Sequence, residues 1–236
     1  MKAAVLSNIG KVRRQNQDRF LVDQNRGLFV VCDGMGGHKA GEVAAQMAID
    51  IIHGDLDELD NQHPLTFLTT SIKKANQSIL LRGRQLEECS DMGTTITAAI
   101  VRNMMLYTAH IGDSSLFVIH PEGVEKVTQD HTLAEEMMRE GILNDKESSA
   151  NRYRHILTRA LGVEESVEID CYTNKLNPGD RLFMATDGVT DLIGPSEVWE
   201  TVNREPDLDQ ALHRLLQLAL ERGGHDNVTM ILIALP

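Results

Sequence analysis

Six short runs of apolar and branched residues punctuate the chain, each bounded by turn formers: GLFVVC at 27–32, TTITAAIV at 94–101, MMLYTAHI at 104–111, SLFVI at 115–119, RLFMAT at 181–186 and VTMILIA at 228–234. Their length and composition predict β-strands. Arg102-Asn103 and Pro121-Glu122-Gly123 predict hairpin turns. Elsewhere the apolar spacing is helical. Ala40, Val43, Ala44, Met47, Ala48 and Ile51 share one helical face, as do Leu65, Leu68, Ile72, Ala75 and Ile79 in a second helix. A third face combines Leu208, Ala211, Leu212, Leu215 and Ala219, with Gly223 as its C-cap. Thr132 and Glu135 have the capping-box spacing for a short helix that ends near Gly141. Strands joined by hairpins, with long amphipathic helices grouped between them, predict an α+β chain in which antiparallel sheet layers are covered by helices.

A chain of 236 residues with 42% hydrophobic content can bury one substantial core. No linker, fixed-period repeat or low-complexity tract divides it, so residues 1–236 are expected to form a single domain. The formal net charge of -12 argues against nucleic acid and anionic membrane as partners, since both select basic patches. Phosphate esters remain open as substrates, because bound cations can dominate the local field of an acidic protein. Cys32, Cys89 and Cys171 are an odd number at no ligand-like spacing and read as reduced structural thiols. The start MKAAVLSNIG has too short an apolar part for a signal peptide, and no run approaches the roughly 18 apolar residues of a spanning helix. A cytoplasmic protein is expected.

The chemistry enters through four aspartate turns, Asp33-Gly34, Asp113-Ser114, Asp187-Gly188 and Asp226-Asn227, each of which follows or precedes an apolar run. A single Asp-Gly is an ordinary turn. Several strand ends converging, however, would gather carboxylates into an oxygen-rich cage. Crowded carboxylates raise one another's pKa unless a cation sits among them, and hard divalent ions such as magnesium or manganese suit such a cage.

The strings around these turns carry a resemblance. DGMGGHKAGE at 33–42, FMATDGVTD at 183–191, GGHDNVTM at 223–230 and GKVRRQNQD at 10–18 resemble the metal-dependent protein phosphatases of type 2C in their bacterial form. MGTTITAAI, HIGDSS, VTQDH, HILTRALG and PGDRLFMATDG agree in order along the chain. The resemblance implies an α-β-β-α sandwich of two antiparallel sheets flanked by helices, with a metal site at one end. It implies Mn2+ or Mg2+, two per site with a third, weaker ion in bacterial members. Asp33 matches the aspartate that bridges the two metals, and Gly34 the residue that offers its carbonyl oxygen. Asp187 and Asp226 match ligands of the second metal, Asp18 an outer carboxylate that orients metal-bound water, and Asp113 a ligand of the third ion. Arg13 matches the arginine that grips substrate phosphate, a task suited to a guanidinium fork. His38 follows the glycine pair and could donate a proton or merely cap a helix. His225 reads as structural.

The implied activity is hydrolysis of phosphoserine and phosphothreonine in proteins by a metal-bridging water, with a serine/threonine protein kinase among the partners and a monomeric enzyme. The alternative from another class is a catalytically silent module that binds phosphoproteins. Four features depart from the family or invite over-reading. Met35 stands where eukaryotic relatives carry a proton-donating histidine. Ser115 stands where relatives carry the arginine of a GDSR turn, so a supporting charge beside Asp113 is missing. DLDELDNQ at 55–62 lacks the glycine and terminal glutamate of a calcium loop and reads as a solvated loop. The segment 142–153, where the family has its flap, is polar without helical or strand period and is expected to be a mobile loop.

Overall fold

In the computed structural model, residues 1–36, 40–143 and 150–235 are described. One five-stranded sheet has the order β1 (Lys2–Asn8), β12 (Val228–Ala234), β11 (Arg181–Ala185), β8 (Ser115–His120), β9 (Gly123–Lys126). The second has the order β10 (Asp170–Lys175), β7 (Met105–Ile111), β6 (Ile96–Arg102), β3 (Leu28–Cys32), β2 (Arg19–Asp23). Every neighbouring pair is antiparallel. Two short strands, β4 (Gly34–Met35) and β5 (Gly93–Thr94), pair beside the second sheet's end.

The alternation of side chains along the strands explains the layers. In β3, Leu28, Val30 and Cys32 face helices α1 (Ala40–Gly54) and α3 (Pro64–Gln85), while Phe29 and Val31 face the other sheet. In β12, Met230 and Leu232 face α7 (Pro195–Arg204) and α8 (Leu208–Glu221), while Ile231 and Ile233 meet Phe29 and Val31 in the shared middle layer. Three apolar layers therefore stack as helix on sheet, sheet on sheet and sheet on helix, which is the α-β-β-α sandwich. Strands buried on both faces have no polar positions to alternate with, hence their continuous apolar runs. Burial of a Phe, Leu, Ile or Val side chain contributes roughly 1.5–3 kcal/mol, so these strand ends are firmly held.

Several local expectations change. The run at 94–101 is interrupted at Thr95, which separates β5 from β6. The hairpin after β6 turns on Asn103 and Met104, both at positive φ (54° and 58°), so Met104 is a turn residue and not part of the strand. Residues 55–62 are not a solvated loop: Leu56–Leu59 forms α2, whose two leucines are buried in the helix-side core. Asp55 there binds Lys74 at 2.5 Å. The cap of α8 uses Gly223 and Gly224 together, with Gly223 N–H on the Leu220 carbonyl (3.1 Å) and Gly224 N–H on that of Ala219 (3.0 Å). Thr132 caps α4 (Leu133–Arg139) through the Glu135 N–H, but Glu135 turns its carboxylate to Gln129. In the predicted flap, 144–149 lie outside the described residues, while 150–153 form a helical turn, α5 (Ala150–Tyr153), against the expectation of no helical period. Cys32 and Cys89 are buried thiols; Cys171 is exposed on β10.

Candidate active site

Strand register brings the aspartates to one end of the sandwich. Ala185 pairs with both Ser115 and Met230, so the end of β11 and the starts of β8 and β12 lie side by side, and with them Asp187, Asp113 and Asp226. Arg19 pairs with Cys32, which puts Asp18 beside the end of β3 and Asp33. A cavity of about 930 Å³ is lined by Asp33, Gly34, Asp113, Asp187, Asp226 and Arg13. Asp18 is 2% exposed and accepts a hydrogen bond from Thr186 Oγ1 (2.9 Å) at Oδ2. His38 lies outside the described residues.

Gathering these groups has an electrostatic consequence. Burial, helped by the charges of Asp187 and Asp226, pushes the Asp18 carboxyl up to about 7 against the hydrogen bonds from Thr229 and Thr186. Burial and the charges of Asp226 and Asp191 push Asp187 up to about 6. Asp33 and Asp113 are raised too, first by burial and then by neighbouring aspartates. Among the described residues, Asp18 Oδ1 and Asp187 Oδ1 are buried with no hydrogen-bond partner. Buried carboxylate oxygens without donors are costly. Divalent cations at this place would satisfy them and relieve the mutual repulsion, so the donor set fits hard metal ions.

Residues from motifs without an assigned role hold the cluster in shape. Asp33 N–H donates to Thr95 Oγ1 and its carbonyl accepts from Thr95 N–H and Thr94 Oγ1, each at 2.9 Å. Thr95 Oγ1 lies 2.8 Å from Ser114 Oγ, and Thr97 Oγ1 donates to the Ser114 carbonyl at 2.5 Å. The threonines of MGTTIT thus tie the Asp33 turn to the Asp113 turn. Asn227, 4% exposed, does the same for Arg13. Its Nδ2 donates to the carbonyls of Ile9 (3.0 Å) and Gln15 (2.9 Å), and its Oδ1 accepts from Gln17 N–H (2.8 Å), stapling the loop that carries the arginine. Gly188 must be glycine because a Cβ there would lie 2.0 Å from the Asn227 carbonyl oxygen. Arg13 itself reaches Asp226 Oδ2 at 2.5 Å, and the charges of Asp33 and Asp187 act on it as well. A half-exposed guanidinium at the mouth of a carboxylate cluster is well placed for a phosphate.

A lysine stands near the place of the missing arginine. Ser115 is fully buried, with Oγ 3.5 Å from Asp130 Oδ1, and Lys126 at the end of β9 binds the other oxygen of Asp130 at 2.6 Å. A cation therefore serves the carboxylate that faces position 115. The structure also adds residues that sequence reasoning passed over. Ligand atoms of His155, Asp187 and Asp191 lie within 4.8 Å of one another. The spacing of Asp187 and Asp191 along one helical turn, α6 (Asp187–Thr190) and its cap, was the available signal for Asp191.

Residues 7–228 match the family model described as protein phosphatase 2C. The chain belongs to this family. It is 30% identical over 240 residues to the serine/threonine phosphatase stp of Listeria innocua, covering 99% of this chain and 95% of that protein. Among solved structures of this family, it is similar to the serine/threonine phosphatase Stp1 of Staphylococcus aureus, with a TM-score of 0.92 and 30% identity over 100% of this chain and 95% of that one. The catalytic domain of PstP, solved in complex with two manganese ions, matches with a TM-score of 0.85 and 31% identity over 98% of this chain and 96% of that one. Among the described residues no helix is long and apolar enough to cross a membrane.

Proposed function

We propose that this protein is a metal-dependent serine/threonine protein phosphatase, formed as one domain over residues 1–236, that hydrolyses phosphoserine and phosphothreonine in proteins. One observation carries the reading: Asp33, Asp113 and Asp187, all with raised pKa, line one cavity with Arg13 at its mouth, and Asp187 Oδ1 and that of Asp18 behind it have no partner among the described residues. Membership of the 2C family and likeness to the manganese-bound PstP domain support manganese or magnesium as the ions.

Asp33, Asp187, Asp226 and the Gly34 carbonyl would hold two ions, and Asp113 with Asp191 a third. When bound, these ions would polarise the phosphoryl oxygens and make water a competent nucleophile near neutral pH. Arg13 binds the phosphoryl oxygens and orients the ester. Asp18 orients solvent from behind the cluster. Met35 has no proton to give, so the leaving oxygen is protonated by His38 or by solvent. The substrates are phosphoproteins, among them a serine/threonine protein kinase, and the enzyme acts as a cytoplasmic monomer.

A silent phosphoprotein-binding module would have no use for the complete carboxylate set. Turnover of a phosphothreonine peptide with manganese decides between the two. Phosphate release that a chelator abolishes is expected; binding without release would overturn the enzymatic reading.

A further inference from the structure

Beside the catalytic cavity lies a second one of about 550 Å³, bounded on its apolar side by Met35, Leu80, Met92 and Val163. Met35 and Val163 also line the catalytic cavity, so the two share a wall. That wall rests on Gly93: a Cβ there would lie 2.6 Å from Met35 Cε and 3.3 Å from Val163 Cγ2. The two side chains therefore lie across bare backbone as a low shelf between the cavities. Val163 is 54% exposed, and Val12 and Ile156, also exposed, stand elsewhere on the catalytic rim. A metal centre that needed only a phosphate ester would have no use for apolar side chains at its mouth. A flanking residue of a peptide would.

The far rim of the second cavity adds a charge preference. Arg84 is paired with Glu165 at 3.0 Å. Glu87 and Asp91 are exposed and form no ion pair among the described residues. We propose that the Met35–Val163 shelf and the cavity behind it seat an apolar side chain next to the phosphorylated residue of a protein substrate, with a lysine or arginine further along the peptide facing Glu87 and Asp91. The occupant is the substrate itself, because the shelf is continuous with the site where its phosphate must lie. The net charge of -12 favours a basic segment in the same direction. This assignment rests on the phosphatase reading and adds its substrate preference.

The test is kcat/KM with manganese on phosphothreonine peptides carrying Leu, Ala or Asp next to the phosphothreonine, on either side, and Lys or Glu two residues further. An aryl phosphate is assayed alongside. The Leu and Lys peptide should exceed the Asp and Glu peptide by about tenfold or more, the range a filled apolar pocket discriminates. Leu80→Asp, inside the second cavity, should erase the preference for Leu. Glu87→Lys, on the exposed rim, should erase the preference for Lys even if the first variant folds poorly. Both should leave aryl phosphate turnover unchanged. Equal kcat/KM across the peptides, or a preference that survives both variants, would overturn the inference while leaving the phosphatase reading intact. Failure to hydrolyse even the aryl phosphate would sink both.

Discussion

Asp18→Asn should stabilise the metal-free protein, and the gain should grow with pH. The reason is the cost of an ionised carboxylate that is 2% exposed, faces Asp187 and Asp226, and has one oxygen without a donor among the described residues. Its pKa rises from 3.8 to about 7 in the folded protein. Between those two values the folded state holds a proton that the unfolded state has released, so stability falls as pH rises through that window and stays low above it. Integrated from pH 5 to 7.5, the shift amounts to about 2.5 kcal/mol. Asparagine has the same shape and no charge to lose, so it escapes this penalty. The comparison must be made between variant and wild type because the histidines pull the other way. His110, pushed down to about 3 by burial and by His131, stays neutral in the fold, and His131 is lowered as well. Both add stability as pH rises through the unfolded value of about 6.5, and both cancel in the difference. Thermal melts in excess chelator should show the Tm gap in favour of Asp18→Asn widening by roughly 5–10 °C between pH 5 and 7.5. With saturating manganese the sign should reverse, since ions that bind the ionised cluster stabilise the wild type by mass action. A gap that stays constant or narrows with pH in chelator would refute the buried-charge account.

Asp187→Asn and Asp226→Asn should each lower turnover by several orders of magnitude while far-UV circular dichroism is unchanged, and wild-type turnover that survives chelation would sink the metal reading. Arg13→Ala should lower kcat/KM on a phosphopeptide by about 10²-fold with manganese affinity unchanged, as expected for a lost phosphoryl clamp; an unchanged KM and kcat would return Arg13 to the surface. Asn227→Ala frees the loop bearing Arg13, so it should reproduce part of that defect and also lower stability by about 2–3 kcal/mol, one net hydrogen bond at a time, as read by denaturant unfolding. Lys126→Ala leaves Asp130 without its cation beside Asp113, so it should raise the affinity of any manganese step that involves Asp113 by about tenfold, in the range of outer-shell changes; an unmoved or weakened step in a manganese titration would sink the charge argument.

What the sequence disclosed follows from where each element sits. The six strands legible as apolar runs, β3, β6, β7, β8, β11 and β12, are the interior strands of the two five-stranded sheets. The four that were not, β1, β2, β9 and β10, are the four edges. An edge strand is covered on fewer sides and is often charged to discourage further pairing. DCYTNK of β10 alternates half-buried and exposed positions and carries two charged residues, so nothing in its composition separates it from a loop. Helix α7 escaped for a related reason: only Val198 and Val202 of its ten residues are buried. The four aspartate turns at 33, 113, 187 and 226 were legible because each adjoins an interior strand, where an abrupt passage between apolar run and carboxylate leaves a local mark. The groups that hold them were not, because their bonds span the chain. Asn227 reaches Ile9 across 218 positions, and Thr186 reaches Asp18 across 168. Such contacts leave no period and no spacing. The same holds for the charge beside Asp113. Its loss was visible as a serine at 115, but the Lys126–Asp130 pair near that serine depends on the β8–β9 hairpin returning the lysine opposite Phe117. A departure from a motif can therefore be read from sequence, whereas the charge that stands beside it requires the fold that brings distant positions together.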